Sequence, residues 1–243
     1  MLDEVINSAR LIRDQRYSQA TAAFASGSYI RGEATPYSDI DLIVVYASLP
    51  NAYRESFYFN DFPVEAFVHD PETLRHFILE VDRPSGTPML AQMVVEGIEI
   101  PGPNTLTRSL KEFAAADIAA GPPQLSPDDR RGYRYAITDL IDDLREPRSG
   151  AELTATATRL YDSLANYYLR MNGFWSAAGK SIPRVLRRAN EDLSVRFILS
   201  FQELFQKGET GAVLALAEEI LEPDGGFLFD GYRLDAPSDW RKP

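Results

Sequence analysis

The chain has no cysteine. It therefore forms no disulfide, offers no thiolate to a metal and carries no cysteine nucleophile, a usage that fits a cytoplasmic protein. It also lacks any apolar run long enough to span a bilayer. The opening residues, MLDEVINSARLIRDQR, mix acids and arginines at helical spacing and read as a helix rather than a secretory signal. Positive charge is scarce: 25 Lys+Arg stand against 36 Asp+Glu, a net charge of −11. Residues 1–105 hold 7 basic and 15 acidic side chains, a net of −8, whereas residues 106–243 hold 18 and 21, a net of −3. A grip on a nucleic-acid backbone needs clustered positive charge. A long nucleic-acid substrate is thus disfavoured, and the acidic part suits divalent cations and a cationic small molecule.

What is present suits a soluble globular protein, with 44% hydrophobic and 25% charged residues. Periodicity predicts a helix over residues 2–17, strands at Ala22–Ser26, Asp41–Tyr46 and Val64–His69, a helix over Pro71–Val81, and a last strand over Met93–Ile100. The glycine-bearing connection Gly27–Tyr37 is expected to begin a short helix. After Pro101-Gly102-Pro103 only helices are predicted, over Leu106–Ala120, Asp128–Arg145, Ala151–Met171, from Pro183, Asp192–Lys207 and Thr210–Leu221. This shift places the expected domain boundary at 105/106. The fold class expected is α+β: a small mixed sheet with flanking helices in residues 1–105, then an α-helical bundle in residues 106–243.

The chemistry concentrates in Gly27-Ser28-Tyr29-Ile30-Arg31-Gly32-Glu33-Ala34-Thr35-Pro36-Tyr37-Ser38-Asp39-Ile40-Asp41-Leu42. Gly27-Ser28 follows a strand, and a glycine there lets backbone amides approach a phosphate closely. Asp39 and Asp41 lie two apart at a strand start, so both carboxylates share a face. Hard divalent cations such as Mg²⁺ bind carboxylate oxygens and keep positions open for substrate phosphates. Glu65 lies on the next predicted strand among apolar residues, where an acid is costly unless paired or metal-bound. Each piece alone is ordinary turn or strand-edge chemistry. Together they describe a three-carboxylate metal site beside a phosphate cradle, the layout of two-metal phosphoryl or nucleotidyl transfer.

Gly27-Ser28, Arg31-Gly32 and Ser38-Asp39-Ile40-Asp41-Leu42 resemble the signature of the DNA-polymerase-beta-like nucleotidyltransferase superfamily. The two-domain plan resembles the bacterial antibiotic nucleotidyltransferases of the aminoglycoside, or kanamycin, type. The resemblance implies Mg²⁺ at Asp39 and Asp41, with Glu65 as third carboxylate and base for an acceptor hydroxyl. It also implies NTP phosphates near Gly27, Ser28, Arg31 and Ser38, ATP as donor by analogy, and a small-molecule acceptor. An antitoxin-like adenylyltransferase with a protein acceptor and a non-catalytic nucleotide-binding module are the alternatives. The motif does not specify the acceptor or the oligomeric state.

In the second half, Lys180 is one of only four lysines against 21 arginines. It sits between a glycine and a predicted helix start, where free amides favour an anion, and it is read as a contact to the triphosphate. Arg184, Arg187 and Arg188 follow at helical spacing, as a basic face or part of the same clamp. Asp139, Asp142, Asp143 and Glu146 share one side of a helix. Such a stripe is ordinarily solvated; its sharper reading is a site for a cationic acceptor. Tyr161, Tyr167, Tyr168, Phe174 and Trp175 read as core packing.

Overall fold

A computed structural model describes residues 2–236. They fall into two compact units, Met1–Pro122 and Pro123–Pro243. No helix among the described residues is long and apolar enough to cross a membrane.

In the first unit, helix α1 (Leu2–Gln15) precedes strands β1 (Ala22–Ser26), β2 (Ile40–Val45), β3 (Tyr53–Phe59) and β4 (Phe62–His69). Helices α2 (Pro71–His76), α3 (Arg83–Ser85) and α4 (Met89–Glu96), strand β5 (Ile98–Ile100) and helix α5 (Thr105–Ala119) follow. The sheet order is β3-β4-β2-β1-β5. Only β2 and β4 run parallel; the other pairs are antiparallel. The α+β class expected from the sequence is the one observed.

Both faces of the central strands are buried, and the pleat sorts their side chains. Ile40, Leu42, Val44, Val64, Ala66 and Val68 pack with α1 residues Val5, Ala9 and Ile12. Phe24, Ile43, Val45 and Phe67 face the other way, into a core with Leu74, Leu90, Val94, Leu110 and Ala114. On this second face Asp41, near the start of β2, and Glu65, its partner on β4, are only half-buried.

Several elements depart from the sequence expectation. Strand β3 had no counterpart in it. Its turn, Asn60-Asp61, has φ of 47° and 66°, the left-handed pair that a two-residue hairpin requires. The expected strand over Met93–Ile100 is mostly helix α4, with only Ile98–Ile100 extended. Val94 and Val95 favour extended backbone, but the buried set Leu90, Ala91, Met93 and Val94 has helical spacing and packs into the second core. Asp82 accepts a bond from the Leu90 amide at 2.7 Å and so fills the role of a cap, since Pro88 supplies no side-chain cap. The helix predicted over Pro71–Val81 is interrupted by a π turn, Phe77–Asp82. Gly27–Tyr37 forms turns rather than a helix: Glu33 N donates to the Ser28 carbonyl at 2.9 Å, and Gly32 ends the turn at φ 70°. The compact units part after Pro122, later than the 105/106 boundary read from composition. Helix α5 stays with the first unit because Leu110 and Ala114 are buried in its core.

The second unit is helical: α6 (Pro127–Arg145), α7 (Gly150–Met171), α8 (Ile182–Ala189), α9 (Glu191–Lys207) and α10 (Gly211–Leu221). Ser126 and Asp129 cap α6 reciprocally, with Pro127 at its first position. Ile137, Ile141, Leu160, Leu164, Phe197, Phe201 and Leu216 form its core. The segment after α10 returns along α6, where the Leu228 amide donates to Thr138 Oγ1 at 2.9 Å and Tyr232 stacks on Tyr135 at 4.0 Å.

Candidate metal centre and phosphate loop

The register lays out the site. Ser26 stands opposite Asp41, Asp41 opposite Glu65, and Glu65 opposite Ser56. These four residues form one polar row across β1, β2, β4 and β3. The adjoining row on the same face is Phe24, Ile43, Phe67 and Arg54, so an apolar floor lies beside the carboxylates. Asp39 precedes β2 and keeps the parity of Asp41. One carboxylate oxygen from each of Asp39, Asp41 and Glu65 lies within 4.8 Å of the other two. All three side chains are half-buried and open to solvent.

Their charges repel. Burial pushes the Asp41 carboxyl up to about 7, and the neighbouring charges of Asp39 and Glu65 add to the effect. Arg31 opposes the shift, and Glu96 reinforces it. Three converging carboxylates, one of which resists ionising, suit a hard divalent cation that would neutralise them.

Gly27 is fixed by this carboxylate. Its φ is 87°, and a Cβ there would lie 1.9 Å from Asp41 Oδ2. The sequence suggests a glycine that lets a phosphate approach; the structure adds that the Asp41 carboxylate already fills the space of a side chain. The Gly27 amide donates to Glu96 Oε1 at 3.3 Å. Arg31 forms an ion pair with the same oxygen and another with Glu33. Ser28 sits in the turn next to Gly27 and is half-buried. Ser38 Oγ accepts from the Thr35 amide at 2.9 Å, so it shapes the approach to Asp39.

Glu65 is not isolated. Arg54 Nη2 donates to both of its oxygens at 2.6 Å. A cavity of about 250 Å³ opens beside Asp39 and Glu65, lined also by Ser56, Phe57, Tyr58, Pro63 and Val64. Arg54, Ser56, Tyr58 and Glu96 were absent from the sequence reading. The first three lie on the unrecognised β3, where Arg54 and Ser56 alternate with Glu55 in a strand-like pattern. Glu96 ends α4, inside the segment Met93–Ile100 expected to be a strand.

His69 and the remaining residues singled out in the sequence lie elsewhere. His69 shares a face with Glu65 but is buried under the π turn, 5.2 Å from the Phe77 ring, and burial pushes it down to about 4. Lys180 is exposed in the 3₁₀ turn Gly179–Ser181 of the second unit, and Arg187 and Arg188 are exposed on α8. Asp139, Asp142, Asp143 and Glu146 are exposed, with Asp142 paired to Arg145 at 2.7 Å. Tyr161 packs edge-on against Phe197 and Phe201, and Tyr167 is fully buried, so both are core residues.

Residues 6–82 match the family model described as a nucleotidyltransferase domain. Among solved structures, the chain is similar to a nucleotidyltransferase-like protein from Exiguobacterium sibiricum 255-15, at 14% identity and a TM-score of 0.44. That likeness covers 90% of this chain and 74% of the other. No curated protein matches the chain.

Proposed function

Through residues 6–82 the chain is a nucleotidyltransferase of the DNA-polymerase-beta-like superfamily, and from that premise we propose that it moves a nucleoside monophosphate, AMP from ATP by default, onto a hydroxyl of a small molecule. The observation that carries the proposal is the row of carboxylates: Asp39, Asp41 and Glu65 reach to within 4.8 Å of one another beside the Gly27-Ser28 turn. Asp39 and Asp41 would hold a divalent cation, proposed to be Mg²⁺, whose charge offsets that of the triphosphate and its transition state. Gly27, Ser28, Ser38 and Arg31 shape the turn that would receive the phosphates, and Arg31 supplies its positive charge. Glu65 faces the cavity and would take the proton of the acceptor hydroxyl. The acceptor oxygen bonds to the α-phosphorus while the bond to the bridging α–β oxygen breaks, and pyrophosphate leaves with that electron pair.

Support for a cationic acceptor, such as an aminoglycoside, comes from the cavity itself. Asp39 and Glu65 form one wall and Tyr58, 80% exposed, another. The exposed Tyr58 ring offers a face for a cation, and the net −8 of residues 1–105 attracts one. The test incubates Mg·ATP with a panel of aminoglycosides and of uncharged alcohols at low and moderate salt, and weighs the products. The expected result is an AMP-modified aminoglycoside whose yield falls as salt rises. Modification of uncharged alcohols alone would defeat the cationic acceptor and leave nucleotidyl transfer standing.

A further inference from the structure

The contact between Arg54 and Glu65 divides the labour of the three carboxylates. Arg54 and Glu65 lie diagonally across the β3–β4 pair, since Arg54 stands opposite Phe67 and Ser56 opposite Glu65. That diagonal is within the reach of a long side chain. The guanidinium lies over the Phe67 ring, 4.8 Å from its centroid, and its Nη2 spans both oxygens of Glu65 at 2.6 Å. The next acid along β3 does not compete. Glu55 points to the other face, where it is bound by Arg16 and accepts from the Tyr17 hydroxyl at 2.7 Å.

Among the described residues Asp39 and Asp41 have no comparable clasp. Arg31, whose charge reaches Asp41, is engaged in ion pairs with Glu33 and Glu96. Of the three carboxylates, Glu65 alone is already neutralised by a direct ion pair. Like Asp39 it borders the cavity, and there it stands opposite Ser56, its cross-strand partner.

We propose that Arg54 is a positioning residue that withholds Glu65 from the cation and holds it toward the acceptor cavity, leaving Asp39 and Asp41 as the principal cation ligands. The proposal rests on the cation-site reading of the preceding subsection and refines it. A carboxylate committed to a metal is a poor proton acceptor, because the metal holds its lone pairs. One shared with a half-exposed guanidinium keeps its orientation while leaving lone-pair sites for a hydroxyl. Stacking on Phe67 fixes the guanidinium plane, and that is a property lysine would not reproduce.

The test is direct titration with Mn²⁺, a spectroscopic stand-in for the proposed Mg²⁺, following the free-ion signal by electron paramagnetic resonance. Arg54→Met keeps the stem over Phe67 and removes the charge, releasing Glu65 to the cation. Mn²⁺ is expected to bind Arg54→Met about two- to fivefold more tightly than wild type, the range that half-exposed ion pairs reach. Arg54→Lys, which keeps the charge but not the stacked fork, should fall between wild type and Arg54→Met. Adding Glu65→Gln to Arg54→Met should abolish the gain. A purely structural role for Arg54 would loosen the site, so unchanged or weaker Mn²⁺ binding in Arg54→Met overturns the proposal. Tightening in Arg54→Lys equal to that in Arg54→Met, or tightening that persists in the double variant, also overturns it. No Mn²⁺ binding by wild type would defeat the cation site itself, and the proposal with it.

Discussion

Asp41 is where the site's physical demands meet. It pairs across the sheet with Ser26 on one side and Glu65 on the other, and its carboxylate fills the space beside Gly27. Burial and two neighbouring acids push its carboxyl from the ordinary 3.8 up to about 7. Between those two values the folded chain keeps a proton that the unfolded chain has released. Asp41's own contribution to the stability of the metal-free protein therefore falls as pH rises through this window, and above it the ionised Asp41 is a net cost. Asp41→Asn removes that cost. At pH 8 the metal-free variant should be more stable than wild type, by on the order of 1–3 kcal/mol after solvent screening, and near pH 4 the two should converge. Added Mg²⁺ should raise the melting temperature of wild type and leave Asp41→Asn unmoved. Urea titrations at the two pH values check the first expectation and thermal melts the second. A stability difference between wild type and Asp41→Asn that does not change between pH 4 and 8 would count against the crowded-carboxylate account.

At the scale of elements, β3 and its turn decide what borders the carboxylates. Asn60 and Asp61 both adopt positive φ, which is tolerable for these residues but easier for glycine. Asp61→Gly should therefore stabilise the hairpin by about 0.5–1 kcal/mol, seen as a higher urea midpoint with an unchanged slope. A lower midpoint would show that the Asp61 side chain contributes something the backbone does not reveal. This hairpin also shows where the sequence stops being legible. Asp39, Asp41 and Glu65 could be read because a two-residue spacing and an acid in an apolar strand carry their own physical meaning. Arg54 and Ser56 could not, because their relation to Glu65 exists only through the β3–β4 register. The α4 segment was misread for the opposite reason: Val94 and Val95 have strand propensity, and burial against β1 and α5 overrides it. Gly27-Ser28 was correctly placed after a strand, but its following turn is too interrupted by Gly32 and Pro36 to extend as a helix.

For the whole molecule, a net charge of −11 leaves few positive groups to meet a triphosphate. Arg31 is the one in the Gly27–Tyr37 connection proposed to receive the phosphates, and Lys180, in the turn Gly179–Ser181 of the second unit, is proposed as another from its sequence setting alone. Lys180→Ala should weaken Mg·ATP binding by about tenfold, the loss of one charge-assisted contact, with the melting temperature unchanged because the side chain is exposed. A calorimetric affinity equal to wild type would return Lys180 to ordinary surface charge. The central claim, that this carboxylate row transfers a nucleotidyl group, is tested most directly by comparing ATP labelled at the α-phosphate with ATP labelled at the γ-phosphate. In the presence of Mg²⁺ and a modified acceptor, the α-label should move to the acceptor and the γ-label should leave as pyrophosphate, and both events should vanish in Asp39→Asn and Asp41→Asn. Movement of the γ-label to the acceptor, or transfer that survives at near wild-type rate in Asp41→Asn, would contradict it.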